Sequence, residues 1–420
     1  MVFPGIERTG VFEPIADAAV SAARAAEGDA WPATGATPRG SVFLFAIPCD
    51  STLPQLEEAP ERPRTMATLK PFPGLRPIPR RAALVAAPPY DVLNSEEARA
   101  MAAGNPHSFL RVNKPEIDLE PGADPYDERV YAKGAENLKR LQEDGVLVRD
   151  DKPCFYLYRQ RMGEHVQTGV VACASVEEYE QDRIKKHELT RPEKEDDRVR
   201  HMEALNAQVG PVFLTYPAVE SIDALIAGLA ERKPVYAFAG DDGIEHTFWV
   251  IDDTESVAAL QDAFANVDAL YVADGHHRSA AATRVKQARQ KANPDHDGEE
   301  PYNYFLTVTF PDTQMQILDY NRIVKDLNGL SPEGFLQQCE GAFVVTALGE
   351  ALPEKPAQPH TFVLYLNGEW HRLVAREGGW DPEDPVDRLD VTILAKHLLS
   401  PILGIEDQRK DKRIDFVGGI

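Results

Sequence analysis

The chain has 420 residues and a net charge of −23, with 43% hydrophobic and 27% charged side chains. That balance supports a real core, and the length calls for two or three domains. The acidity works against binding DNA or an anionic membrane through the general surface. No apolar run reaches the 18 residues of a transmembrane helix, and the N-terminus lacks the basic and apolar regions of a secretory signal. Cys49, Cys154, Cys173 and Cys339 form no CxxC pair, so neither a disulfide framework nor a thiolate zinc site is expected, and a reducing cytoplasm is.

In chain order, residues 1–65 are rich in Ala, Pro and Gly with weak periodicity, and Pro54, Pro60 and Pro63 crowd their end. They read as a disordered extension, or as sequence upstream of a natural start at Met66; a small appended element is the alternative. From Met66 the pattern is mixed α/β, with an N-terminal region over 66–180, a core region over 181–325 and a C-terminal region over 326–420. Ala82–Ala87 and Phe109–Val112 read as short strands. Asn94 or Ser95 caps a helix with acids in its first turn. Tyr126–Glu143 is a long amphipathic helix stopped by Asp144-Gly145. Cys154–Arg161 and His165–Ala174 form a hairpin around Met162-Gly163-Glu164.

Thr190 and Glu193 have capping-box spacing, with Pro192 in the first turn of a helix that Gly210-Pro211 ends. Val212–Leu214 and Phe248–Ile251 are strands, and Ser256–Phe264 is a helix. Asn303–Thr309 and Gln316–Leu318 are strands. A strand pair flanks Asn367-Gly368, a helix spans Val391–Leu399, and Arg413–Ile420 reads as a strand entering a glycine turn.

The chemistry concentrates at Asp274-Gly275-His276-His277-Arg278, between the apolar run Leu270–Ala273 and a helical run from Ser279. A strand, a glycine turn and a helix start form an anion site, because free N–H groups and the helix dipole face the ligand. Asp274 can bind a metal or accept a proton, Gly275 admits a ligand to the backbone, and Arg278 offers a planar fork. His276 and His277 diverge by about 100° on a helix, so at most one faces a shared ligand. A capping Asp, a turn Gly and three surface polar residues would give the same string.

Lys186-His187-Glu188 sets a carboxylate beside cations, suited to a general base, although such a run is also ordinary in a solvated linker. Position 191 is Arg, so no HExxH pair exists and a zinc protease is disfavoured. Arg191, Lys194, Arg198 and Arg200 could form a basic face, or be neutralised by nearby acids. Asp91 and the loop Asn105–Ser108 are polar turns open to ligand use or to ordinary turn chemistry. Walker A, GxGxxG, GxSxG and DFG motifs are absent.

Five motifs then fall into one order: Ala87-Pro88-Pro89-Tyr90-Asp91, Asn105–Leu110, Lys185–Arg191, Ala273–Arg278 and Ile317–Arg322. Together they closely resemble a prokaryotic family known as domain of unknown function 1015, from about Met66 to Ile420. A more distant resemblance joins Lys186-His187-Glu188 and the Asp274–Arg278 turn to ParB-like free-serine kinases, relatives of sulfiredoxin.

This second resemblance implies a ParB/sulfiredoxin-like core with added α/β lobes. It also implies Mg²⁺ as metal, ATP or ADP as phosphoryl donor and a hydroxyl metabolite, serine first, as acceptor. Glu188 is then the catalytic base. Asp274 lies by metal or substrate and shares the catalytic set with His277, while Lys186, Arg191, Gly275, His276 and Arg278 hold phosphate. A nucleotide-binding switch without turnover and a metal-dependent phosphohydrolase are the other readings.

Two departures stand out. The motifs lie 86 residues apart (274 − 188), far more than in compact kinases. No Ser/Thr-rich phosphate-binding segment precedes Ile420, so the resemblance implies a chain that continues.

Overall fold

The structure is a computed structural model that describes residues 68–90, 93–188, 190–318, 320–351, 353–408 and 410–418, with the backbone of 43–46. Among these, no helix is long and apolar enough to cross a membrane. The fold is mixed α/β, as expected, and the described residues divide into two compact units, one holding those from 68 to 315 and the other those from 316 to 418 with 43–46. The expected regions 66–180 and 181–325 both supply strands to one sheet.

In the first unit that sheet has nine strands. From one edge they run Ile184–Lys185, Leu270–Asp274, Val212–Tyr216, Tyr304–Pro311, His165–Ser175, Phe155–Met162, Glu245–Ile251 and Tyr236–Ala239, and Leu69–Lys70 pairs with His165–Ser175. Most pairs are antiparallel. Leu270–Asp274 is parallel to Ile184–Lys185, and Tyr304–Pro311 is parallel to Val212–Tyr216. Side chains alternate between faces. Phe155, Leu157, Val170, Leu214 and Trp249 enter one core with Ile222 and Ile226 of helix Glu220–Ala230 and with Leu260 and Phe264 of helix Thr254–Phe264. Tyr156, Tyr158, Val171, Phe248 and Phe310 form a second core on the other face. Covering both faces explains why this sheet reads as apolar runs more than as clean alternation.

The Tyr156 hydroxyl ties this sheet to the N-terminal loop. It accepts from the Gly74 N–H at 2.7 Å and donates to Asp150 Oδ2 at 2.8 Å, while Asp150 takes the Arg76 fork. Tyr156→Phe therefore strands a buried N–H and should cost about 1–3 kcal/mol, read as a lower urea midpoint at unchanged slope.

Several expected elements appear where the sequence puts them. Asn94 accepts from the Glu97 N–H and Glu97 returns the bond, a complete capping box on helix Ser95–Met101. Helix Glu128–Glu143 and the hairpin across Gly163 also form. Others differ. Ala82–Ala87 is not a strand: Pro79–Arg81 is a 3-10 turn that runs into helix Ala82–Val85, with Ala82 and Val85 buried three residues apart. Phe109–Val112 is not a strand either. Helix Leu110–Asn113 buries Leu110, Val112 and Asn113 behind buried Phe109, a spacing that a two-residue alternation cannot produce. Short apolar runs fit a strand or a buried helical turn equally well, and packing chose the helix.

The Thr190/Glu193 capping box does not form. Helix Pro192–Leu205 starts after Arg191 with no side-chain cap, and the Thr190 hydroxyl bonds Glu195 instead. That helix ends on left-handed Asn206 (φ 47°), before Gly210-Pro211.

The second unit is a six-stranded antiparallel sheet in the order Phe343–Gly349, Glu369–Ala375, Thr361–Leu366, Phe43–Ala46, Tyr320–Val324, Ile414–Gly418. Helix Pro332–Cys339 and the segment Asp390–Leu399 bury Phe335, Leu394, Leu398 and Leu399 against one face. Asn367 and Gly368 both take positive φ, 51° and 94°, as a two-residue hairpin turn demands. Gln316–Leu318 is not a strand; the strand starts at Tyr320. Of the stretch 1–65, all but 43–46 lies outside the described residues.

Candidate functional site

Parallel pairing builds the site. Leu270 lies opposite Ile184 and Tyr271 opposite Lys185, so the two strands leave the sheet at the same end and in the same direction. One runs into His187 and Glu188, the other into Asp274 and Gly275. Gly275 takes φ 94°, and helix His276–Ala292 begins on the next residue with no side-chain cap. The Arg278 and Ser279 N–H groups bond the Gly275 carbonyl. The His276 and His277 N–H groups, at the first two helical positions, have no intrahelical acceptor. A Cβ on Gly275 would sit 3.3 Å from the Val212 Cα, so the turn lies directly on the neighbouring strand.

The two histidines diverge, as helix geometry requires. His276 turns inward and is 3% exposed, with Nδ1 3.5 Å from Glu188 Oε2. Its Nε2 is buried without a partner among the described residues, and the His187 ring stands edge-on to the imidazole at 4.4 Å between centroids. Burial, then His187 and His277, push the His276 pKa down to about 4, against the pull of Asp274. His277 faces the start of helix Pro192–Leu205, and its Nε2 accepts the Arg191 N–H at 3.1 Å. Burial, Lys194 and Arg198 lower its pKa, while Glu188 and Glu195 act the other way. A neutral ring with its proton on Nδ1 satisfies that bond.

His276 yields a pH prediction. Its folded pKa lies below the unfolded value of about 6.5. The unfolded chain therefore binds more protons between the two, and stability falls as pH drops from about 6.5 towards 4. Urea midpoints at pH 7 and pH 5 should differ more in the wild type than in His276→Gln.

The remaining expected residues are placed less uniformly. Asp274 is exposed, with Oδ2 3.7 Å from Arg278 Nη1. Arg278 is buried at 5% exposure. It donates to the Pro211 carbonyl at 3.0 Å and lies over the Tyr90 ring, so its fork braces the turn from inside. Lys186 is engaged by the Tyr179 carbonyl (2.9 Å) and ring. Arg191 reaches His277 through its backbone. Helix Pro192–Leu205 is fixed to helix His276–Ala292 by Arg284 with Asp196 and by Arg289 with Glu203.

Tyr90 is the residue that reading the sequence undervalued. Arg198 stands 4.3 Å and Arg278 5.3 Å from its ring centroid. The only signal was its place in the Pro-Pro-Tyr-Asp loop; Asp91 lies outside the described residues. Among the described residues, no three His, Cys, Asp or Glu side chains are spaced to share a metal ion. Two other concavities lie apart from this turn, about 250 Å³ beside Arg159, Thr168 and Asp223, and about 410 Å³ beside Glu177, Lys286 and His296.

Comparison with known proteins gives one result. The family model described as "Protein of unknown function (DUF1015)" matches residues 69–392. No curated protein and no solved structure matches the chain.

Proposed function

The chain belongs to the DUF1015 family, and for it we propose a phosphotransferase with a ParB/sulfiredoxin-like core. Its donor is ATP or ADP, and its acceptor is the hydroxyl of a small metabolite, free L-serine being the first candidate. The observation that carries this reading is the Glu188 carboxylate 3.5 Å from His276, at the mouth of an uncapped helix.

In this reading Glu188 takes the proton from the acceptor hydroxyl. The hydroxyl oxygen forms a bond to phosphorus as the bond to the nucleotide breaks. The His276 and His277 amides, with the His277 ring, face the transferred group; preorganised donors of this kind are the main catalytic device in phosphoryl transfer. Asp274 is one exposed carboxylate, and among the described residues no metal-binding cluster surrounds it. That suits Mg²⁺, which is commonly held by one or two carboxylates together with substrate phosphates. Mg²⁺ there supplies charge neutralisation. Arg278 and Lys186 act behind the site, holding the turn and the Lys186–Glu188 segment in place.

The test is incubation of the protein with Mg²⁺, ATP or ADP, and a pool of hydroxyl metabolites including serine, with products read by mass spectrometry. A new phosphorylated metabolite is expected, and it should vanish in Glu188→Gln. Nucleotide binding without any product would instead favour a non-catalytic nucleotide switch.

A further inference from the structure

The reading above leaves the Ile317–Arg322 motif unused, and that motif belongs to the second unit. Its last residue, Arg322, is 6% exposed on strand Tyr320–Val324. Its Nη1 donates to the Tyr320 carbonyl, and its buried Nε has no partner among the described residues. Among the described residues no carboxylate lies within ion-pair distance of it. Other shielded arginines have a carboxylate in reach: Arg76 has Asp150 at 2.7 Å, and Arg278 has Asp274 at 3.7 Å.

Among the described residues, the side chains that lie against the guanidinium of Arg322 are aromatic. Its guanidinium lies 5.5 Å from the Tyr320 ring centroid and 5.6 Å from that of Phe416, its direct cross-strand neighbour. The two rings stack at 5.1 Å, and Tyr320 is 52% exposed, so the ring pair lies between the buried cation and the surface.

Magnitudes decide between a structural cation and a binding site. Two cation–π contacts recover a modest fraction of what it takes to remove a guanidinium from water without a counter-ion. Burial already draws the Arg322 pKa down to about 10. Such a group lacks an oxyanion on its Nε edge, the edge that a carboxylate or phosphate grips in a fork. We propose that Arg322, with the Tyr320–Phe416 ring pair beside it, is a second ligand site, for a small molecule bearing a carboxylate or phosphate group.

The experiment is a titration of the full chain with inorganic phosphate and, separately, citrate, at ionic strength held constant with NaCl. The Arg322 Nε–H and Tyr320 ring resonances are followed by NMR. Saturable shifts with at least one probe are expected, and the tighter probe identifies the group recognised. Arg322→Lys keeps the charge and loses the fork, and should weaken the response at Tyr320 about tenfold or more. No saturation by about 10 mM of either probe overturns the proposal, as does unchanged binding in Arg322→Lys. These signals report on Arg322 and Tyr320 alone, so the result is independent of whether Glu188 supports phosphoryl transfer.

Discussion

Gly275→Ala is expected to destabilise the protein by about 2–4 kcal/mol, combining left-handed strain with an overpacked contact. The residue holds φ 94°, where an L side chain costs about 1–2 kcal/mol. The added Cβ would also lie 3.3 Å from the Val212 Cα, a backbone atom that cannot rotate away. Gly298 is the internal control. It has the same φ of 94°, yet nothing lies within 4 Å of its Cβ position. Gly298→Ala should show the strain alone, about 1–2 kcal/mol. Urea unfolding of the two variants separates the terms. Equal midpoints would mean that the turn does not press on the Val212 strand. The His276 and His277 amides would then lack the fixed backdrop that aims them.

Glu188→Gln is expected to reduce turnover about 10²–10⁴-fold while leaving stability within about 0.5 kcal/mol. The Glu188 side chain is 53% exposed, so the amide fits without repacking. It cannot take a proton from an acceptor hydroxyl. Phosphorylated product measured against a urea melt of the same sample checks both halves. Turnover close to wild type would remove Glu188 as the base and leave only a binding role for the turn. A large loss of stability would show that its contact with His276 holds the loop in place.

Much of the fold was legible because local chemistry is explicit at certain positions. The Asn94-Ser95 helix start, the Asn367-Gly368 turn and the Gly275 turn each permit few backbone solutions, and each forms where it was expected. Where the local signal was a short apolar run, the reading failed. Val85 and Val112 lie in helical turns because the cores they enter are reached at three- and four-residue spacing. Thr190 misled for a different reason. Its hydroxyl had a competing partner in Glu195, which no spacing rule ranks against a backbone cap. In the site, the strand–turn–helix form of Asp274–Arg278 and the divergence of its histidines followed from the residues. The inward turn of Arg278, the bracing role of Lys186 and the place of Tyr90 between two guanidiniums did not.

By itself, then, the sequence determined the family, the mixed α/β class and the local shape of each motif, because these depend on neighbours within a few residues. The tertiary structure decided which motifs meet. Glu188 and Asp274 are 86 positions apart (274 − 188). What brings their segments together is the parallel pairing of Ile184–Lys185 with Leu270–Asp274. Closing so long a loop carries an entropy cost that only the collective burial of the sheet and its helices offsets, and no spacing rule encodes that sum.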